Sequence, residues 1–286
     1  TNGRFMACTG GWDWGPYSNT FEGADHTFSK GIWKSVYVIA NPVTSAAIVH
    51  LVPHTFYRGP HLSAPIIDGT HAGFSVRVGT FLRGGSSGSK GTLSLKGSWS
   101  DKAVASVPVT LKPGEQAEVV ANLTADASDI KLWWPVGLAD SRTLYNVTAS
   151  FTPSESGTTA TGAAVTATRS IGFRVVAMVT GNDTDPEYIK TASTEEGSEL
   201  GFGMFFRVNG AAVLTRGANM IPMEEFEGRM NADAHAILVQ SAVDANFNML
   251  RVWGGGMFLP DVFYDSCDAA GILVRSWRGR LFDSLL

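Results

Sequence analysis

A helical pattern that feeds an apolar strand, between Ala232 and Gly256, is the feature of this sequence that most limits its fold. Small and apolar residues recur at helical spacing along one predicted face: Ile237, Leu238, Ser241, Ala242 and Ala245. Asn246 ends the helix, and Met249-Leu250-Arg251-Val252 predicts a strand buried on both faces, as in a parallel sheet. Arg251 and Trp253 stand at its carboxyl end, where a charge is costly for folding but where α/β barrels bind ligands. The stretch predicts an αβ unit with binding residues at its strand end.

Composition and charge narrow the classes of protein and partner. The 286 residues are 44% hydrophobic and 17% charged, which predicts a globular chain with room for two domains. No run approaches the ~20 apolar residues that a membrane-spanning helix needs, so we predict no membrane partner. A net charge of −4 without a basic stripe also argues against nucleic acid. Cys8 and Cys267 lie far apart and have no metal-ligand spacing, so we predict free, buried thiols, with no metal and no cofactor.

The first two thirds of the sequence read as β structure. Apolar or alternating runs separated by turn residues cover 36–40, 47–52, 73–78, 91–95, 117–121 and 144–149. This spacing predicts an antiparallel sandwich. The Gly- and Ser-rich stretches 84–89 and 153–157 predict hairpin loops inside it. Domain seams are predicted near Asn41-Pro42 and within 181–203.

Several motifs in order resemble one family of enzymes. They are Gly11-Trp12-Asp13-Trp14-Gly15-Pro16, Gly31-Ile32-Trp33, Lys131-Leu132-Trp133-Trp134-Pro135, Arg169 to Arg174, Phe206 to Gly210, Arg216 to Pro222 and Asn246 to Gly256. Together they resemble the β-mannosidases, one branch of a glycoside hydrolase family. The same family also includes the β-galactosidases and β-glucuronidases. The resemblance implies a mainly β chain in three parts. These are a truncated galactose-binding-like jelly-roll (1–42), an immunoglobulin-like β-sandwich (43–176) and the first βα units of an incomplete (β/α)8 TIM barrel (177–286).

The same resemblance implies a site for a terminal β-mannoside. Sugar recognition needs hydrogen-bonding groups for the hydroxyls and aromatic faces for the ring. The implied substrate-binding residues are Trp12, Asp13, Trp14, Asn219, Arg251 and Trp253. Each has a structural alternative: the tryptophans could plug domain interfaces, and Arg251 could be a paired structural charge. Met220 stands where relatives commonly have tryptophan, which alters the expected stacking surface.

No catalytic residue is predicted in this sequence. Retaining hydrolysis needs two carboxyl groups, and in the family the acid/base glutamate follows an asparagine, but the sequence has no Asn-Glu pair. Glu224, Glu225 and Glu227 follow a proline and predict a solvated loop. After Asn209 the sequence is far shorter than the ~250 residues of a whole barrel. The basic residues from Arg275 replace the family's pattern and resemble a frame shift or an artificial end.

The function implied is therefore part of a retaining exo-acting β-mannosidase, a hydrolase that removes terminal β-D-mannose from glycans, inactive by itself. Two alternatives remain at this stage: a non-catalytic carbohydrate-binding or interaction module, and a β-galactosidase or exo-glucosaminidase relative. An unclosed barrel edge predicts self-association. Three sequons, at Asn122, Asn146 and Asn182, favour a lysosomal or secretory route.

Overall fold

The computed structural model describes residues 43–154, 164–191, 204–221, 223, 231–253 and 259–275, together with Val36, Val38 and Ala40. Trp12, Asp13 and Trp14, Cys8 and the three glutamates from Glu224 to Glu227 lie outside the described residues. The described residues divide into two compact units. We call them the sandwich unit, which falls within 39–134 and 138–214, and the parallel unit, which falls within 135–137 and 215–275.

Two antiparallel sheets form the body of the sandwich unit. One sheet has the order β1-β2-β5, with β1 at Ala47–Tyr57, β2 at Phe74–Arg83 and β5 at Gln116–Ala125. The other has the order β4-β3-β6-β7, with β3 at Ser89–Gly97, β4 at Val104–Leu111, β6 at Tyr145–Pro153 and β7 at Val165–Ile171. Buried and exposed residues alternate without interruption along β3, as expected for a strand with one face on a core. The prediction of antiparallel β structure is confirmed.

An aromatic cluster lies at the centre of the core that the two sheets share. The ring of Phe173 is 5.3 Å from that of Phe74, 5.2 Å from Trp99 and 5.4 Å from Tyr145, measured between centroids. Phe173 and Phe74 are fully buried. Trp99 satisfies its indole N–H by donating to the carbonyl oxygen of Thr124 on β5, at 2.9 Å. The Tyr145 hydroxyl accepts from the backbone N–H of Lys131, at 2.8 Å, so both polar atoms of the cluster are paired.

Two features of this unit differ from the sequence prediction. Strand β4 was not predicted, because Pro108 interrupts its pattern; β4 is an edge strand, where a missing N–H need not break a ladder. The prediction of a hairpin at residues 84–89 was wrong. That segment joins β2 to β3, which belong to different sheets, so it crosses from one layer to the other. β6 and β7 pair antiparallel on either side of the hairpin predicted at 153–157, of which 155–157 lie outside the described residues.

A third antiparallel sheet of the sandwich unit has the order β8-β9-β10: β8 is Val176–Val179, β9 is Phe205–Val208 and β10 is Ala211–Val213. The short helix α1, Pro186–Thr191, lies between β8 and β9 in sequence. Asn209 and Gly210 connect β9 to β10 with φ of 50° and 82°, a turn that suits these two residue types. A Cβ at Gly210 would lie 1.9 Å from the carbonyl oxygen of Ala64, so only glycine fits.

The parallel unit has the order β11-α2-β12-α3-β13 along the chain. The strands are β11 Gly217–Met220, β12 Met249–Val252 and β13 Leu273–Arg275, and the helices are α2 Ala232–Asp244 and α3 Asp261–Ala270. Both strand pairs are parallel, with β12 in the middle of the open sheet. Asn231 caps α2 by accepting from the N–H of Ala234, and Gly271 ends α3 at φ 81°. The predicted αβ unit is confirmed.

The buried face of α2 is the predicted one only in part. Ala242 is buried and Leu238 packs against the core, as predicted. Ile237, Ser241 and Ala245 are exposed, and His235 and Val239 are buried instead. The reason is the partner helix: His235 packs edge-on against Phe263 of α3, with ring centroids 6.1 Å apart. Burial lowers the pKa of His235, whose neutral ring then behaves as an apolar neighbour of Phe263. Among the described helices, none combines the length and the apolar character needed to cross a membrane.

Candidate functional site

The parallel sheet aligns polar residues at the carboxyl ends of its strands. In the strand register Asn219 of β11 lies opposite Arg251 of β12, which lies opposite Arg275 of β13. Their sequence neighbours Met220, Leu250 and Val274 are buried in the core formed with α2 and α3. Because side chains alternate between the faces of a strand, the polar row occupies the face away from the helices.

A direct hydrogen bond joins two of the predicted site residues. Arg251 donates from Nη1 to the side-chain oxygen of Asn219, at 3.1 Å. This bond uses one of the five N–H donors of the guanidinium and fixes its position beside β11. Asn219 is exposed and Arg251 is half-buried, so the remaining donors have access to a ligand. The third predicted residue in this region, Trp253, follows β12 directly, and its backbone N–H donates to the carbonyl oxygen of Met220, at 3.0 Å.

The structure thus brings Asn219, Arg251 and Trp253 to the carboxyl ends of two neighbouring strands. In parallel α/β sheets this end is where ligands bind. Trp253 is half-buried. Arg275, which was not among the predicted site residues, extends the polar row because the register places it beside Arg251.

Met220 does not alter this polar face. It is 7% exposed and packs in the core between the sheet and its helices. Its side chain therefore alternates with Asn219 and lies on the opposite side of the strand. Met220 therefore contributes to the packing of β11 against the helices, not to the polar face.

Two asparagines before β12 stabilise the amino ends of the parallel strands. Asn248 is buried and accepts from the backbone N–H of Arg216, at 2.8 Å. Asn246 adopts φ 61°, and its carbonyl oxygen accepts from Arg216 Nε at 3.0 Å. These contacts tie the amino ends of β11 and β12 together. At the carboxyl ends the two strands are joined by the Arg251–Asn219 bond and by the backbone bond from Trp253 to Met220.

Other reactive groups of the parallel unit are structural. Cys267 on α3 is free and fully buried, as predicted, and burial raises the pKa of its thiol well above the usual range. A buried thiol held in its protonated form is a poor nucleophile. Burial likewise raises the pKa of Tyr264. In the ranges that the structure describes, no group of three His, Cys, Asp or Glu residues is placed to hold a metal ion.

A buried ionic cluster in the sandwich unit is also structural. Asp183 accepts from Arg207 Nε and, at 3.0 Å, from Arg207 Nη2, and its second neighbour is His61 Nε2 at 3.4 Å. The Asp183 side chain is only 4% exposed. The hydrogen bonds from Arg207 hold the pKa of Asp183 below its ordinary value. Arg207 Nη1 also donates to the carbonyl oxygen of Gly210, at 2.9 Å, which links the cluster to the β9-β10 turn.

Comparison with characterised proteins connects these features to one enzyme group. Over 288 residues the chain is 29% identical to the β-mannosidase of Capra hircus, covering 98% of this chain and 27% of that protein. Over 266 residues it is 31% identical to β-mannosidase A of Aspergillus aculeatus, covering 93% of this chain and 26% of the fungal protein. The chain is related to the β-mannosidases. Its relatives are glycoside hydrolases, which confirms the resemblance found in the motifs.

Solved structures share the fold of this β-mannosidase relative. The β-D-mannosidase of Dictyoglomus thermophilum superposes with a TM-score of 0.58 at 23% identity, covering 81% of this chain and 24% of that chain. An exo-chitosanase of Amycolatopsis orientalis gives a TM-score of 0.53 at 20% identity, covering 78% and 22%. The chain spans about a quarter of the length of the curated β-mannosidases that it matches. No protein-family model matches it.

Proposed function

We propose that this chain supplies part of the terminal-sugar subsite of a retaining exo-acting β-mannosidase that hydrolyses terminal β-D-mannose residues of glycans. The observation that supports the proposal best is the hydrogen bond from Arg251 to Asn219 at the carboxyl ends of β12 and β11. A pre-positioned guanidinium loses less conformational entropy when it binds a sugar hydroxyl than a free one does.

Each proposed subsite residue has a chemical task. The free N–H donors of Arg251 and the side-chain amide of Asn219 hydrogen-bond adjacent ring hydroxyls, and Trp253 offers an aromatic face to the apolar side of the ring. We propose that the segment Trp12, Asp13 and Trp14 completes the subsite, with the Asp13 carboxylate accepting from hydroxyls.

We propose the domain organisation that the resemblance implies. Residues 1–42 are the end of a jelly-roll domain, 43–176 an immunoglobulin-like sandwich and 177–286 the beginning of a TIM barrel. In the sandwich unit the antiparallel sheets with a common aromatic core support the second assignment. The third is supported by the parallel β11-α2-β12-α3-β13 order.

The chain is proposed to bind sugar without catalysing hydrolysis. A retaining enzyme holds its two carboxyl groups about 5–5.5 Å apart across the glycosidic bond. The sequence has no Asn-Glu pair, the context in which the family carries its acid/base residue. The ion pairs among the described residues do not include Arg251, and we propose that its guanidinium binds the sugar.

Replacing Arg251 by alanine is expected to weaken binding of methyl β-D-mannoside by roughly 10- to 100-fold, because a hydrogen bond to a charged group contributes about 1.5–3 kcal/mol. Ligand-observed NMR titration of the chain measures the dissociation constant. Arg83→Ala is the matched control: Arg83 is an exposed arginine at the end of β2 in the sandwich unit, and its loss should leave binding unchanged.

Equal binding by the two variants would contradict the assignment of Arg251 to the subsite. Titrations with methyl β-galactoside and β-glucosaminide compare the affinity of the chain for the alternative sugars. If either binds more tightly than the mannoside, that sugar replaces mannose as the proposed substrate. Turnover of an aryl β-mannoside by the pure chain, abolished by Arg251→Ala, would contradict the proposal that the chain only binds.

A further inference from the structure

Three asparagines of the sandwich unit stand in Asn-X-Thr tripeptides, the acceptor sequence for N-linked glycans. Asn122, Asn146 and Asn182 are all exposed. Their backbone settings differ. Asn122 lies within β5 opposite Arg77, and Asn146 lies within β6 between neighbouring strands on both sides.

Asn182 is in a connecting segment, between the end of β8 at Val179 and the start of α1 at Pro186. Loops on the surface tolerate a bulky modification better than strands, because no neighbouring strand must accommodate the added group. Asn182 and Thr184 are both exposed, while the residue between them, Asp183, is 3% exposed. The middle residue of the tripeptide is therefore buried, while the asparagine and the threonine that define the acceptor both face solvent.

The buried ionic cluster fixes the loop in this orientation. Asp183 is held by two hydrogen bonds from Arg207. Within the loop, Asn182 Oδ1 accepts from Thr184 Oγ1 at 2.7 Å and from the Thr184 backbone N–H at 3.2 Å. Both bonds use the side-chain oxygen of Asn182 and neither uses the amide nitrogen Nδ2, which is the atom that carries the sugar in N-linked glycans.

We propose that Asn182 is an N-glycosylation site of this protein. The co-reactant is an oligosaccharide linked to a polyprenyl diphosphate. Asn182 Nδ2 attacks C1 of its first sugar, the N–C1 bond forms as the bond from C1 to the diphosphate oxygen breaks, and the polyprenyl diphosphate leaves with the electron pair. The amide proton passes to a base of the transferase. The glycan occupies solvent beside an anchored loop, so the fold forms without burying it.

Translation of the full chain behind a cleavable secretory leader, in the presence of microsomes, tests this assignment. We expect one glycan on Asn182, detected by peptide mass spectrometry after amidase release converts that asparagine to aspartate. Asn182→Gln and Thr184→Ala should each remove it, whereas Thr184→Ser keeps the hydroxyl and should retain it. The microsomal readout reports modification whether or not a variant folds.

An unmodified Asn182 in the translocated wild-type chain would overturn the proposal, whatever the state of Asn122 and Asn146. A glycan on Asn182 that survives in the Thr184→Ala variant would overturn the role given to the threonine hydroxyl. The result is independent of sugar binding by the parallel unit, because Asn182 belongs to the sandwich unit.

Discussion

Phe173→Ala is expected to lower the free energy of unfolding by about 3–5 kcal/mol, the usual cost of removing a buried aromatic ring. Phe173 is fully buried, and three aromatic rings from different segments of the sandwich unit lie within 5.2–5.4 Å of it. Deleting the ring removes its own apolar burial and leaves a cavity that Phe74, Trp99 and Tyr145 cannot all fill at once.

Urea denaturation followed by tryptophan fluorescence measures this loss, since Trp99 is part of the cluster. Phe81→Ala provides the control: Phe81 is on β2 of the same unit but 37% exposed, so its replacement should cost about 1 kcal/mol or less. A cost for Phe173→Ala no larger than that of the control would contradict the central position given to this ring.

Asp183→Asn is expected to cost about 3 kcal/mol at neutral pH, because it leaves the guanidinium of Arg207 with no carboxylate inside a buried cluster. The side chains of Asp183 and Arg207 are 4% and 14% exposed, so water replaces little of the lost interaction. Asp126→Asn is the matched control, since the pair of Asp126 with Arg58 has side chains 59% and 38% exposed. Surface pairs of that kind contribute about 1 kcal/mol or less.

The Asp183 pair also predicts a dependence of stability on pH. Arg207 lowers the pKa of Asp183 in the folded chain, so the stabilisation is present above the unfolded pKa of about 4. It is lost as pH falls through the lower, folded pKa. Urea denaturation of wild type and Asp183→Asn from pH 7 to pH 2 should therefore show the difference between them shrinking in acid. A constant difference across this range would contradict the ionic origin of the effect.

Local patterns predicted the strands better than their arrangement. The alternation along β3 and β6 follows from side chains facing one core, and it is visible in the sequence alone. The sheet to which each strand belongs is set by contacts far apart in sequence, which is why the crossing at residues 84–89 was mistaken for a hairpin. Strand β4 was missed because Pro108 is acceptable only where a strand has a free edge.

In the candidate site, too, local features could be predicted from the sequence, whereas contacts between distant residues could not. The position of Arg251 at the end of an apolar strand predicted a binding residue, and its bond to Asn219 follows once β11 and β12 are known to be neighbours. The ionic cluster could not be predicted, because His61 and Asp183 are 122 residues apart. Likewise, the face that α2 buries depends on packing against Phe263 of α3. The residue spacing within α2 alone cannot predict that contact.

The burial of Cys267 gives the chain an internal reporter of partial opening. The sequence has two cysteines, neither in the sandwich unit, so in a Cys8→Ser background Cys267 is the sole thiol. Its side chain is fully buried in α3, and its raised pKa slows reaction further. The rate at which an alkylating reagent labels it therefore measures how often the parallel unit opens to solvent, while the sandwich unit contributes no signal.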